Sequence, residues 1–278
     1  MSKIDMINIG LTERFIQEAG LFQGLFIGRV SAQSQELYQV ITEKGELTGE
    51  ISGKFRFEAR NLADYPAVGD FVMIDRTDDA HGHGIISKVL TRQSIFTRKA
   101  AGTGHDVQVV AANIDMVFIC MSLNNDFNLR RLERYLSIAW DSGAVPVVVL
   151  TKSDLCKDLN TKLNRVAPVA IGVDVLVTTS MSNDGYAPIK SYLAKGKTVA
   201  FIGSSGVGKS TLINRLAGGN ILATKNVRND DKGRHTTTRR ELIILPEAGA
   251  LIDTPGMREL GLERADTTKA FADIDKLA

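Results

Sequence analysis

Residues 203–210 read Gly203-Ser204-Ser205-Gly206-Val207-Gly208-Lys209-Ser210. Glycines, a lysine and a hydroxyl at this spacing, after an apolar run and before a helical pattern, let backbone N–H groups wrap phosphate oxygens, and the helix N-terminus adds a favourable dipole. Lys209 is placed to bridge β- and γ-phosphates, Ser210 to hold Mg2+, and Thr211 to contact the α-phosphate. Asp253-Thr254-Pro255-Gly256 follows the apolar strand end Leu251-Ile252. Asp253 is placed to hold Mg2+ through water, and the Gly256 N–H to bond the third phosphate and report its loss. Thr151-Lys152-Ser153-Asp154 caps the apolar run from Val145 to Leu150. A carboxylate at 154 accepts from N1 and the 2-amino group of guanine, two donors that adenine lacks, while the Lys152 stem lies along the base. Thr151 stands where asparagine is usual, and an amide tether to the phosphate loop is expected to be lost with it. Thr179-Ser180 follows the next strand and offers a backbone N–H to guanine O6.

The guanine-reading element precedes both phosphate elements. In an ordinary G domain it follows them, so the order implies a circularly permuted GTPase. Between loop and switch, residues 225–240 carry Gly233-Arg234-His235-Thr236-Thr237-Thr238, with cations outnumbering Asp230 and Asp231. Thr237 is the threonine expected to complete the Mg2+ shell. Met257 stands where a water-orienting glutamine often follows such a switch, and a thioether cannot orient water. Unaided turnover is therefore expected to be slow, with His235 as the group that positions the attacking water, since imidazole accepts a proton near neutral pH.

These motifs need strand ends to hold them. From about residue 106 the pattern alternates: strands at 117–121, 145–150, 175–178, 198–202, 241–245 and 250–252, and helices at 129–140, 186–194, 209–216 and 267–277. In the second helix of the chain Leu129, Leu132, Leu136 and Trp140 are expected to face inward. Strands alternating with helices predict a mostly parallel sheet covered on both faces. Upstream, short strands at 25–30, 37–42, 47–51, 54–59, 71–74 and 85–90 are punctuated by turn residues, which suggests a small all-β barrel of OB type. Leu11, Phe15, Ile16 and Ala19 share one face of a short helix stopped by Gly20. The expected division is an N-terminal helical segment (1–22), an OB-type barrel (23–105), a permuted α/β P-loop GTPase domain (106–262), and the start of a C-terminal helical extension (263–278).

The formal net charge is +2, so any nucleic-acid contact must come from local patches rather than a global polycation. Lys54-Phe55-Arg56-Phe57 alternates cation and aromatic, and Arg92, Phe96, Arg98 and Lys99 cluster without acids. Lys54, Arg56, Arg92, Arg98 and Lys99 are the candidate RNA contacts, although an alternating strand with phenylalanines inward reads the same way. Cys120 and Cys156 are structural thiols of a reducing compartment, not a disulfide framework or zinc knuckle. His81-Gly82-His83 reads as a flexible turn. The N-terminus has no basic-then-apolar leader, and the apolar run 143–150 is shorter than the ~20 residues that span a bilayer. A cytoplasmic monomer is expected.

Together with Gly28-Arg29-Val30, the run Ala111 to Asp115, and Asp126-Phe127-Asn128 through Arg131-Leu132-Glu133-Arg134-Tyr135, these motifs resemble the ribosome small-subunit-dependent GTPase A family over nearly the whole chain. The resemblance implies an OB domain, late maturation of the small (30S) ribosomal subunit with binding to its rRNA, subunit-stimulated GTP hydrolysis, and a part for the switch histidine matching His235. It also implies a C-terminal zinc module of three cysteines and a histidine. Residue 278 falls about where that module would begin, and no zinc site is assigned among these residues. Two other classes stay open on the residues alone: a P-loop ATPase or kinase with an accidental guanine motif, and a GTP-dependent switch acting on a protein partner without RNA.

Overall fold

The structure is a computed structural model that describes residues 3–80, 82–99, 107–182, 184–219, 240–245 and 248–253. Five strands close a barrel: β1 (Phe26–Ser34), β2 (Leu37–Thr42), β3 (Gly45–Ile51), β4 (Phe71–Ile74) and β5 (Gly84–Val89). They pair in the order β1-β2-β3-β5-β4, and β4 returns to β1. The inward residues Val30, Val40, Leu47, Val72, Ile74 and Ile86 fill the interior. A short helix α1 (Glu13–Ala19) packs Phe15 on Phe71 of the barrel, ring centroids 4.4 Å apart.

The strand expected over 54–59 is instead the helix α2 (Gly53–Glu58). Ser52 Oγ caps it by accepting from Phe55 N at 3.0 Å, an orphan-donor bond that a strand does not need. Phe55 enters the barrel core, while Phe57, which an alternating strand would have placed beside it, is 90% exposed. Phe55 and Phe57 therefore lie on opposite sides of one helix.

Downstream, β6 (Ile95–Lys99) and β7 (Val107–Ala112) pair as a separate two-stranded sheet. These strands flank the expected division at 105/106 and bond to each other. Then come β8 (Met116–Ser122), α3 (Leu129–Ser142), β9 (Val145–Thr151), α4 (Leu159–Val166), β10 (Asp174–Val177), α5 (Ala187–Lys190), β11 (Thr198–Ile202), α6 (Lys209–Leu216), β12 (Arg240–Leu245) and β13 (Gly249–Asp253). The sheet order is β10-β9-β8-β11-β13-β12, parallel except for β12. Residues from Pro146 to Thr151 are buried without alternation, as a strand covered on both faces requires. In α3, Leu132, Leu136 and Ala139 face the core; Trp140, expected inward, is 54% exposed, and its neighbour Ala139 is the buried residue. The helix expected over 186–194 is α-helical only at Ala187–Lys190. The tail helix expected at 267–277 lies outside the described residues. None of the described helices is long and apolar enough to cross a membrane.

Barrel and sheet are continuous. β1 pairs with β12 through Ala32↔Glu241 and Gln33↔Arg240, so the barrel extends the α/β sheet past its antiparallel edge. Beneath this seam sits Arg29, fully buried. Its guanidinium donates to the carbonyls of Ile9, Gly69 (3.3 Å) and Asn113 (3.3 Å) and to Thr198 Oγ1 (2.8 Å), and lies 4.9 Å over the Phe71 ring. Burial lowers its pKa to about 10, opposed by the charges of Asp115 and Asp70. One cation thus joins the N-terminal segment, the barrel, the connecting segment and β11.

Replacing Arg29 with methionine should cost ~3 kcal/mol or more in urea denaturation, since the buried carbonyls of Ile9 and Asn113 lose this donor, while Gly69 O keeps the bond from Asn113 Nδ2. Arg29→Lys should recover only part of it, having no planar fork to span four acceptors. A loss under ~1 kcal/mol for the methionine variant would show that water replaces the guanidinium.

Candidate functional site

Parallel register brings the chemistry to one edge. Ser122 is level with Thr151 across β8 and β9, and Phe201-Ile202 is level with Phe118-Ile119 across β11 and β8. Ala200 is level with Ile252 in β13, which ends at Asp253. Five strands therefore deliver their C-terminal ends together, the place where open α/β sheets bind ligands.

The loop from Gly203 joins β11 to α6. Gly203 (φ 140°), Gly206 (φ 78°) and Gly208 (φ 105°) hold backbone conformations that side chains disfavour, and a Cβ at Gly203 would overlap the Cys120 carbonyl of β8. Lys209 is largely buried and its ammonium donates to the carbonyls of Gly203 and, at 2.6 Å, Ser204. Ser210 and Thr211 open the helix directly after it, and Asp253 is buried at the neighbouring strand end. A hydroxyl at the start of α6 and a carboxylate at the end of β13, the strand beside β11, are oxygen donors of the kind Mg2+ takes, and that ion keeps several waters and needs few protein ligands.

The guanine-reading loop lies against the phosphate loop. Thr151 Oγ1 donates to Val207 O at 2.6 Å, so the tether expected to be lost with asparagine is present, made by a hydroxyl. Lys152, at φ 59°, donates from Nζ to Gly206 O at 2.7 Å, which lays its stem across the loop. Asp154 accepts from Thr179 Oγ1 at 2.6 Å, and Ser180 hydrogen-bonds Tyr186. The segments of Thr151, Asp154, Thr179 and the phosphate loop thus converge. His235, Thr237 and Gly256 lie outside the described residues.

A support behind the phosphate loop was invisible at the level of single motifs. Asn128 caps α3 by accepting from Arg131 N at 3.0 Å. Arg131 Nη1 donates to both oxygens of Asp126 (2.9 and 3.0 Å) and to Ser204 Oγ, while Tyr135 also bonds Ser204. The spacing 126, 128, 131, 135 is the signal that places these groups on one face at a helix start. Cys120, beside Gly203, has its thiol pushed up to about 12 by burial, which fits an inert structural thiol.

The candidate RNA cations separate into two kinds. Lys54 and Arg56 project from α2, paired with Glu58 at 3.8 Å and Glu36 at 3.0 Å. Arg98 reaches Gln108 at 3.2 Å, and the side chain of Lys99 lies outside the described residues. Arg92 instead turns inward, 10% exposed: it binds Asp70 through two nitrogens (2.8 and 2.7 Å) and the carbonyls of Ala63 and Tyr65. Burial pushes the Asp70 carboxyl's pKa up, and the Arg92 guanidinium opposes that by bonding its charged form. Arg92 is a fold-holding cation.

A phosphate loop, a guanine-reading loop and a strand-end aspartate on a sheet connected in this order define a circularly permuted P-loop GTPase. The model of the family described as RsgA GTPase matches residues 89–263, and the chain belongs to that family. It is 51% identical over 276 residues to a Lactiplantibacillus plantarum protein named small ribosomal subunit biogenesis GTPase RsgA 2, covering 99% of this chain and 78% of that one. The crystal structure of YjeQ from Thermotoga maritima is similar with a TM-score of 0.63 at 26% identity, over 85% of this chain and 76% of that chain. That of YloQ, described as a circularly permuted GTPase, gives 0.57 at 22% identity over 84% of this chain and 72% of that chain, a likeness of fold.

Thr151→Val should weaken guanine-nucleotide binding about five- to tenfold in a fluorescent-nucleotide titration, the loss of one buried hydrogen bond. Thr151→Asn should bind within about threefold of the parent, since an amide can also donate to Val207 O. Equal affinity of all three would remove the tether from the account of binding.

Proposed function

We propose that this GTPase uses its nucleotide state to control binding to the small ribosomal subunit during late assembly, and that it contacts the subunit's rRNA. The observation that carries the nucleotide half is the double tether of the guanine loop to the phosphate loop, Thr151 to Val207 and Lys152 to Gly206. The subunit half is supported by the name of the 51% identical relative. Asp154 reads guanine N1 and the 2-amino group, with Thr179 and Ser180 at O6. Gly203 through Lys209 and Thr211 hold the phosphates. Ser210, Asp253 and Thr237 hold Mg2+, which when bound shields phosphate charge. Gly256 senses the third phosphate, and His235 positions water. Lys54, Arg56, Arg98 and Lys99 meet phosphate on the subunit. The protein works in the cytoplasm as a monomer, with its barrel at 23–105 and its GTPase unit at 106–262.

Hydrolysis of GTP is measured with and without purified small subunits. Stimulation is expected in the parent and should be largely lost in His235→Ala with nucleotide affinity retained. Asp154→Asn should lower GTP binding by ~100-fold, from two charge-assisted hydrogen bonds, and raise affinity for xanthosine triphosphate, whose 2-oxo group accepts from an amide. Subunit binding should fall steeply with salt. No stimulation of the parent would remove the assembly reading, and salt-indifferent binding would remove the RNA contact.

A further inference from the structure

The loop after β10 carries Thr179 and Ser180, the residues expected at guanine O6. Three of its backbone donors are already committed. Thr179 N donates to Gly185 O at 3.2 Å, Met181 N to Thr179 Oγ1 at 3.1 Å, and Gly185 N to Ser182 O at 3.3 Å. Ser180 is exposed, and its N–H has no acceptor among the described residues. A single amide on an exposed loop discriminates poorly if the loop must be ordered each time a ligand arrives, because that ordering is subtracted from the bond it makes.

Two residues hold the loop. At Gly185 its two ends touch: a Cβ there would stand 2.1 Å from Thr179 O and 2.8 Å from Thr179 Cγ2. The φ of Gly185 lies outside the left-handed region, so want of space, not backbone conformation, calls for glycine. Tyr186 follows, buried in one apolar cluster with Val207 of the phosphate loop and with Leu212 and Ile213 of α6. Its ring lies under Arg215 of α6, with the guanidinium carbon 5.5 Å from the ring centroid, and its hydroxyl shares a hydrogen bond with the Ser180 side chain. Because α6 opens on Lys209 and Ser210, the ring that steadies Ser180 is anchored to the helix that begins at the phosphate site.

We infer that Gly185 and Tyr186 are positioning residues that set specificity for an oxygen at C6 of the purine, by holding the Ser180 N–H as a fixed donor. The inference rests on the proposed guanine recognition and divides it between two devices. Asp154, which accepts from Thr179 Oγ1 at 2.6 Å, reads N1 and the 2-amino group, and the clasped amide reads C6. Adenine carries a donor at C6, so a fixed N–H there adds a second rejection to that of Asp154. Thr179 serves both devices: its hydroxyl meets Asp154 and Met181 N, and its backbone meets Gly185.

The test is a competition titration of the full chain against a fluorescent guanine nucleotide. The competitors are GTP, ATP, inosine triphosphate, which lacks the 2-amino group, and 6-thioguanosine triphosphate, which keeps N1–H and the 2-amino group but has a weaker acceptor at C6. The parent should prefer GTP to the thio analogue about fivefold, the loss of one hydrogen bond, and to inosine triphosphate about tenfold, the loss of a charge-assisted one. Tyr186→Phe keeps the ring and removes the hydroxyl. It should bring the thio preference below about twofold and leave the inosine preference as in the parent, a sign that the pocket is still formed. Gly185→Ala should lower both preferences, since the added Cβ displaces Thr179. A thio preference that persists in both variants would overturn the inference and leave guanine recognition standing. An equal fall of both preferences in Tyr186→Phe would overturn it as well, as general loosening of the pocket. A parent that binds GTP and the thio analogue alike would remove the O6 contact and the inference with it, and a parent that binds ATP as tightly as GTP would remove guanine recognition itself.

Discussion

A guanidinium taken wholly out of water is held in place by what surrounds it, and Arg29 is surrounded by every part of the chain that must agree. Carbonyls of Ile9, Gly69 and Asn113 and the hydroxyl of Thr198 accept from it, and Phe71 lies under its face. Among the described residues no carboxylate bonds it directly; Asp70 and Asp115 act at a distance, each committed elsewhere, Asp70 to Arg92 and Asp115 to Thr198 N and Lys197. Burying a charge this way is costly unless every donor finds an acceptor at once. The requirement couples segments far apart in sequence: if β11 shifts relative to the barrel, Thr198 leaves the cation. The seam behaves as one packed unit because its central charge tolerates only one arrangement.

That constraint gives the permuted order a mechanical consequence. Asp253 is level with Glu241 across β13 and β12, and Glu241 is level with Ala32 across β12 and β1. One row of residues therefore runs from the strand end that carries the aspartate to the wall of the barrel. Thr198, which binds Arg29, begins the strand that ends in the phosphate loop. Both routes are backbone hydrogen bonds or a buried cation, neither easily deformed, so the barrel and the nucleotide loops share one rigid frame.

The motifs and the alternation of strands and helices were readable in the sequence because each depends on local spacing. Val145–Leu150 reads as a covered strand from its unbroken apolar run, and the glycines of 203–208 read as a phosphate loop from their positions. What failed depended on partners distant in sequence. Lys54–Ala59 has a strand's alternation, and only the cap from Ser52 and the barrel end that receives Phe55 make it a helix. Arg92 looked like a surface cation because Asp70 is 22 residues away. Trp140 has helical spacing with Leu132 and Leu136, yet Ala139 is buried in its stead. The strands β6 and β7 were missed because their pairing bridges two segments that were read as belonging to different units. Thr151 shows the opposite error: the residue type was read as a loss, whereas a hydroxyl reaches Val207 O as an amide would.

The same comparison explains how one surface can carry two kinds of contact. Had residues 54–59 formed a strand, both phenylalanines would have faced the core and the cations the solvent, leaving a charged edge without an aromatic. As a helix of under two turns, α2 commits Phe55 to the barrel and leaves Phe57 in solvent. Phosphate attraction is long-ranged and indifferent to sequence, whereas stacking and amide contacts act only at close approach. Under the proposed function, the cations of α2 would attract a polyanion broadly and the exposed Phe57 ring would add a contact of short range. Arg29, bonded to Thr198 at the start of β11, ties the barrel that carries α2 to the strand leading into the 203–208 loop.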